Sequence, residues 1–241
     1  MLNIYQKTEN FNLVFGFSLS LHPIFDFMKK EEIDLQQYSK ILECIMKALM
    51  KTGVKATTMD SIASSLQMSK RTLYEIFGSK EEMFLEAHKF FHKKMALALK
   101  DIFETSDNVM EAIIKCFLFN RDLMSNVNAD FIRDIEQLAK KGEMISQDNH
   151  RHHYQNLYDV LSKGVKEGYF RDDVNLKVQC RMLSLQMESL KRSVELFPED
   201  ISLLEIYDSI IIGFLRGISS SKGLEEIEKF IPALTSNLSQ K

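Results

Sequence analysis

Apolar residues recur every three or four positions over most of the chain, which is the period of an amphipathic helix. Ile41, Ile45 and Leu49 form one such stripe, and Gly53 is a natural end for that helix. Two short helical patterns follow, separated by a turn at 67–69. The sequence has no alternating run with hairpin signals, so we expect an all-α protein with essentially no sheet.

The two short helices have clear start signals. Thr57 or Thr58 can cap the first, with Asp60 placed to complete a capping box from Thr57. Ser69 can cap the second. The inward side of this second helix is formed by Leu73, Ile76 and Phe77.

The outward side of the second helix carries cations, a hydroxyl and a phenol. Lys70, Arg71, Thr72 and Tyr74 share this side, and such a short helix with an apolar back suits the DNA major groove. A further capping box, Ser79-Lys80-Glu81-Glu82, then opens a long helix. The amides at its start, together with the lysine, could hold a phosphate.

This segment resembles the DNA-binding domain of the TetR family of bacterial transcriptional regulators. The matching positions are Thr58, Ile62, Ala63, Ser69, Thr72, Leu73, Tyr74, Phe77, Ser79, Lys80 and Glu81, with Met83 in the last apolar place. Two positions depart from the family pattern, because Gln67 and Arg71 stand where the family often has glycine. Gln67 must therefore adopt a turn conformation that glycine takes more easily, and Arg71 can add a base contact.

The resemblance implies an N-terminal three-helix domain with a helix-turn-helix, followed by a helical-bundle domain for regulation and dimerisation. We expect an N-terminal extension at 1–33, the DNA-binding domain at 34–84 and the second domain at 85–241. The partner would be double-stranded DNA with a palindromic operator. The expected DNA-binding residues are Thr58, Ser69, Lys70, Arg71, Thr72, Tyr74 and Lys80.

Residues 1–27 differ from the rest, because they are apolar and aromatic without a clear helical period. An upstream start that adds a poorly ordered tail before Met28 explains them. Two alternatives stay open, an accessory segment that packs on the domain and a targeting or membrane-associated segment.

The later helical patterns predict the second domain. They fall at 80–104, 108–125, 128–141, 143–166, 174–196, 201–220 and 224–234. The resemblance to the TetR family implies that the last two long helices build a four-helix bundle in a homodimer. The expected interface residues are Tyr207, Ile210, Gly213, Phe214 and Gly217.

Methionine and aromatic residues are frequent on the middle helices. Such side chains can line an adaptable apolar pocket for a small hydrophobic ligand, although each one can also be ordinary core. The expected pocket residues are Phe117, Met124, Phe131, Tyr154, Tyr158 and Met182.

Composition narrows the class of protein. The 241 residues are 45% hydrophobic with a net charge of −3, so any DNA contact must rest on local cations. The 3 cysteines show no metal-ligand spacing and indicate reduced thiols in a cytoplasmic protein. No apolar run reaches the about 18 residues that span a bilayer. We find no enzyme motif, and we expect no catalytic residue, metal or cofactor.

Together these features predict a sequence-specific DNA-binding transcriptional regulator, a ligand-responsive repressor that acts as a homodimer. The alternative is a helical ligand-binding or protein-interaction module that does not bind an operator. Binding to operator DNA separates the two.

Overall fold

The computed structural model describes residues 35–140, 148–190, 196–198 and 200–235, and within these ranges the side chains of 36–135, 155–190, 196–198 and 200–230. The predicted extension at 1–33 lies outside the described residues. The helices are α1 (Leu35–Thr52), α2 (Met59–Leu66), α3 (Lys70–Phe77), α4 (Lys80–Thr105), α5 (Val109–Ser125), α6 (Ala129–Lys140), α7 (Asp148–Lys166), α8 (Leu176–Ser189), α9 (Leu203–Ile218) and α10 (Ser221–Thr235).

The prediction of an all-α fold is confirmed. Over the described ranges the only pairing of extended backbone is an isolated bridge between Phe170 and Ser219. Most helix ends lie within a few residues of the predicted ones. Helix α8 is described as far as Ser189, and the predicted continuation to 196 runs through residues 191–195, which lie outside the described residues. No described helix is both long and apolar enough to cross a membrane.

The chain divides into two compact units. Among the described residues the first unit holds 35–97 and 126–140, and the second holds 98–125 and 148–235. The division predicted from the sequence, at 34–84 and 85–241, stays a prediction. The first half of α4 and all of α6 lie in the same unit as the helix-turn-helix region. Sequence order alone could not reveal this, because α6 joins the first unit through contacts distant along the chain.

The first unit is built around α1. This helix packs against α2 and α6, and α2 packs against α3. Ile45, Leu49, Ile62, Leu73 and Met83 are completely buried, so α1, α2, α3 and the start of α4 share one apolar core.

The second unit is a helical bundle centred on α5 and α9. Helix α5 packs against α7, α9 and α10, and α8 packs against α7 and α9. Phe117 of α5 stacks on Tyr207 of α9 with 5.8 Å between ring centroids. Arg121 and Asp208 continue the same contact, because the Arg121 Nε lies 3.0 Å from both carboxylate oxygens.

A pair of histidines is buried inside the first unit. His88 and His92 lie one turn apart on α4, and their Nε2 atoms are 3.2 Å apart, so one ring donates a hydrogen bond to the other. Burial lowers the pKa of His92 to about 4, and burial together with His92 holds the pKa of His88 well below its ordinary value. Both rings are therefore neutral in the folded protein at pH 7.

This pair should make the folded protein sensitive to acid. Below about pH 6.5 the unfolded chain binds protons at these histidines while the folded chain does not, so stability is complete above that pH and falls as the pH approaches 4. Within this window His92 alone should remove up to about 1.4 kcal/mol per pH unit. Denaturant unfolding at pH 7 and pH 5 measures the loss. A His92→Gln variant serves as control and should show a shallower dependence, whereas equal dependence in both proteins would contradict the assignment.

Candidate nucleic-acid interface

The start of α2 is fixed by a reciprocal cap. The Thr58 hydroxyl accepts the Ser61 backbone N–H at 3.1 Å, and the Ser61 hydroxyl accepts the Thr58 backbone N–H at 3.1 Å. The predicted box between Thr57 and Asp60 was wrong. Thr57 is buried and donates its hydroxyl to the Gly53 carbonyl at 2.6 Å, which leaves Asp60 free to act elsewhere.

The turn between α2 and α3 has the conformation that the sequence required of Gln67. This residue has a φ of 53°, in the left-handed region that glycine enters more easily. The Met68 N–H then bonds the Ala63 carbonyl at 2.9 Å, which closes the end of α2. The turn is therefore tight even without a glycine.

Ser69 caps α3, as predicted from the sequence. Its hydroxyl accepts the Thr72 backbone N–H at 3.0 Å and lies 2.8 Å from the Thr72 hydroxyl. Leu73, Ile76 and Phe77 are buried, while Lys70, Arg71 and Tyr74 are exposed. The helix therefore presents cations and a phenol outward from an apolar back.

Each cation of this surface already has a partner. Lys70 Nζ bonds Asp60 at 2.8 Å, and Arg71 Nε bonds Glu75 at 2.8 Å. These hydrogen bonds raise the pKa of both cations. Because the pairs are solvent-exposed, each contributes little to stability and can be exchanged for contacts with DNA.

Two members of these pairs were not among the expected site residues. Asp60 was expected to act in a cap, and Glu75 was not considered. The signal for Glu75 was present in the sequence, because it stands four positions after Arg71 on the same helix face. Asp60 and Lys70 are on different helices, so only the fold brings them together.

Lys80 lies at the first position of α4. Its Nζ bonds the Lys55 carbonyl at 3.4 Å. Ser79 caps this helix, since its hydroxyl accepts the Glu82 N–H at 3.1 Å. Three helix starts, at Thr58, Ser69 and Ser79, thus lie within the first unit, and helix starts favour phosphate oxygens.

The expected pocket residues occupy different places in the structure. Phe117 and Met124 are buried in the second unit, and Phe131 is buried in the first. Tyr158 is half-buried, the side chain of Tyr154 lies outside the described residues, and Met182 is 49% exposed.

An apolar pocket of the second unit lies among other side chains. Its lining residues are Ile113, Leu157, Val160, Leu161, Leu183, Ile211, Phe214 and Leu215. It has room for about one water molecule. The residues predicted for the pocket are therefore not those that line this one.

The expected dimer residues divide in the same way. Tyr207 is 1% exposed and stacks on Phe117, so it belongs to the interior of its own protomer. Gly213 and Gly217 are exposed, and a Cβ atom at either would meet nothing within 4 Å. Ile210 and Phe214 beside them are half-buried. Helix α8 adds an exposed apolar row of Val178, Met182 and Leu185.

The geometry of the first unit defines a class of protein. A short helix on a buried core, with exposed cations and a tight turn before it, is a helix-turn-helix of the kind that enters the major groove. The family model for bacterial regulatory proteins of the tetR family matches residues 41–87, which cover α2, α3 and most of α1.

Known proteins support the same class over more of the chain. The HTH-type transcriptional repressor KstR2 of Mycobacterium tuberculosis is 26% identical over 148 residues, covering 60% of this chain and 74% of that protein. A solved structure of KstR2 from the same organism has a TM-score of 0.51 at 21% identity, covering 79% of this chain and 98% of that one. The structure of Escherichia coli NemR in its reduced form has a TM-score of 0.55 at 11% identity, covering 77% and 98%.

Residues 41–87 carry the DNA-binding domain of the tetR family of bacterial regulatory proteins. The chain is a DNA-binding transcriptional regulator, and the relatives that it matches are regulators rather than enzymes.

Proposed function

We propose that the protein is a repressor that binds a two-fold symmetric operator as a homodimer and leaves it when a small apolar ligand binds. The carrying observation is the exposed, cation-bearing face of α3 above a completely buried Leu73. The relative KstR2 is a transcriptional repressor, which supports repression as the sign of regulation. These actions would take place in the cytoplasm. Footprinting on the DNA upstream of its own gene tests the operator directly.

The DNA contacts follow from the positions of the side chains. Lys70, Arg71 and Thr72 stand at the start of α3, the part of a recognition helix that reaches base edges. Tyr74 on the same helix would contact a phosphate. Lys80 and Thr58 at the starts of α4 and α2 would do the same. Ser69 contributes by holding the start of α3 through its cap.

Arg71→Ala and Lys80→Ala should have different effects on operator binding. Arg71→Ala should change the preferred sequence at one position, with a cost of about 1–3 kcal/mol if the arginine binds guanine in a bidentate manner. Lys80→Ala should weaken all DNA sequences to a similar extent and lower the salt slope by about one phosphate contact. Binding to an operator and its single-base variants, measured at several salt concentrations, separates the two.

A matched control is Lys94→Ala, which removes the same charge from a different ion pair, with Glu43 on α1. It should leave both sequence preference and salt slope close to those of the wild type. If Arg71→Ala and Lys80→Ala behave like this control, the assignment of these contacts is wrong.

The homodimer is supported by apolar surface on two adjacent helices. Met182 and its neighbours on α8 are about half exposed, and α9 leaves Gly213 and Gly217 open. Because neither glycine is crowded within its protomer, its small size is explained by the close approach of a second copy. The proposed interface is therefore Ile210, Gly213, Phe214 and Gly217 with the α8 row, and without Tyr207.

Gly217→Leu should weaken the dimer without harming the protomer. Leucine is the better helix former by about 0.8 kcal/mol, and there is open space for it in the isolated protomer. Between two copies the same side chain would overpack the contact. Sedimentation should show more monomer and gel shift should show weaker operator binding, with helical content retained. An unchanged dimer would place the interface elsewhere.

Ligand response is supported by the apolar pocket of the second unit. Since it has room for about one water molecule, a larger ligand must widen it, and a state with a widened pocket can differ in its affinity for DNA. This makes release a population shift between two conformations.

A fluorescent apolar probe, 1-anilinonaphthalene-8-sulfonate, tests this response. Probe and operator should weaken each other by the same factor, because linkage is reciprocal. Val160→Trp would fill the pocket from its half-exposed rim and should lower probe affinity while operator binding persists. Equal probe binding to free and DNA-bound protein would show that this pocket is not regulatory.

A further inference from the structure

The turn at 53–57, between α1 and α2, has little freedom of its own. Gly53 ends α1 with a φ of 84°, and its N–H bonds the Leu49 carbonyl at 2.8 Å. Its own carbonyl accepts the Thr57 hydroxyl at 2.6 Å. Thr58 follows directly and caps α2, so the position of this turn determines where α2 begins.

The segment that leads into α6 holds the end of α1 from outside. The Asn128 backbone N–H bonds the Met50 carbonyl at 2.8 Å, and its side-chain amide bonds the Lys51 carbonyl at 3.3 Å. These carbonyls lack partners within their own helix because they lie in its last turn. A residue distant in sequence thus completes the C-terminal cap of α1.

Asp134 holds the turn itself. This carboxylate is 3% exposed, and its Oδ2 accepts the Lys55 backbone N–H at 2.9 Å while its Oδ1 lies 3.6 Å from the Lys55 ammonium. The approach is close, since a Cβ at Gly53 would lie 3.3 Å from the same Oδ2. A buried carboxylate is costly unless it is paired and hydrogen-bonded. The Lys55 N–H supplies the hydrogen bond to Oδ2 and the Lys55 ammonium supplies the charge beside Oδ1, which itself accepts no hydrogen bond from the described residues.

The same residue of the turn also contacts Lys80. The N–H of Lys55 is held by Asp134, and its carbonyl accepts Lys80 Nζ at 3.4 Å. One residue therefore connects the carboxylate of α6 with the lysine at the start of α4. A shift of the 53–57 turn would move the Lys55 carbonyl that Lys80 bonds, and it would also move the capped start of α2.

We propose that Asp134 is a positioning residue for DNA binding, which acts by fixing the 53–57 turn and through it Lys80 and Thr58. This inference rests on the proposed function, in which Lys80 and Thr58 contact phosphates. Asp134 itself does not touch DNA. Its effect on binding is transmitted through the Lys55 peptide.

Three variants of the full chain test this role. Asp134→Ala removes the acceptor and should lower operator affinity by about tenfold or more, with a salt slope flatter by about one phosphate contact. Asp134→Asn retains an oxygen for the Lys55 N–H and should stay within about threefold of the wild type, as a rescue by the conservative variant. Asp130→Ala, which removes an exposed carboxylate paired with Arg133 on the same helix, is the control and should bind normally.

A double-mutant cycle with Lys80→Ala gives the decisive readout. If Asp134 acts through Lys80, removing the lysine from the Asp134→Ala protein should cost much less than removing it from the wild type. Equal costs in both backgrounds would overturn the positioning role and leave the phosphate contact standing. If Lys80→Ala alone has no effect, the phosphate contact itself fails, and this role of Asp134 fails with it. Should the alanine variant not fold, Asp134→Leu fills a similar volume without an acceptor and replaces it in the cycle.

Discussion

Burial of the inner side of α3 is the constraint on which the DNA-binding surface depends. The helix has eight residues, too few to be stable alone in water. Leu73 is completely buried, and Phe77 is covered by Tyr38 of α1 with 5.9 Å between ring centroids. The hydrogen bonds that cap both ends of α3 fix the geometry of its first and last turns. Helix α3 is therefore stable only as part of the first unit. A shift of α1, or of the 53–57 turn that follows it, would also shift the exposed side chains of α3.

In the proposed complex, electrostatics explain how an acidic protein can bind DNA with selectivity. The chain carries a net charge of −3, and the cations of α3 are paired with Asp60 and Glu75. Exposed pairs of this kind are weak, so a correct base or phosphate can replace the carboxylate at small cost. DNA of another sequence offers fewer groups that can replace Asp60 and Glu75 as partners of the cations. These two carboxylates then repel its phosphates. Selectivity can thus come from the anions as well as from the cations.

The sequence predicted best what is determined locally. The caps at Ser69 and Ser79 and the strained turn at Gln67 depend on a few neighbouring residues, and all three occur as expected. The capping box of α2 was misplaced by one residue, because Thr57 is drawn into a hydrogen bond with Gly53. That competition arises from the turn and cannot be read from capping preferences.

Predictions for the second unit were less specific for a physical reason. Helix α5 is apolar around much of its circumference, so its pattern does not say which side faces which neighbour. Met182 and Tyr207 illustrate the consequence, since the expected pocket residue Met182 is half exposed and the expected dimer-interface residue Tyr207 is buried in its own protomer. Asp134 is the opposite case, a charged residue that looks like ordinary helix surface until the fold brings it to Lys55.

The ion pair of Arg121 on α5 and Asp208 on α9 joins the core of the second unit to the helix that carries its exposed glycines. Burial raises the pKa of Asp208 although the charge of Arg121 acts in the opposite direction, so the pair gains little net stability. Its geometric effect is larger, because a carboxylate held at 3.0 Å by one arginine fixes the register of α9 against α5. With that register set, Tyr207 must point inward and Gly213 and Gly217 remain open. In the proposed homodimer those glycines determine how closely two copies approach. The approach of the two copies at α9 would then depend on a polar contact buried inside the second unit of each protomer.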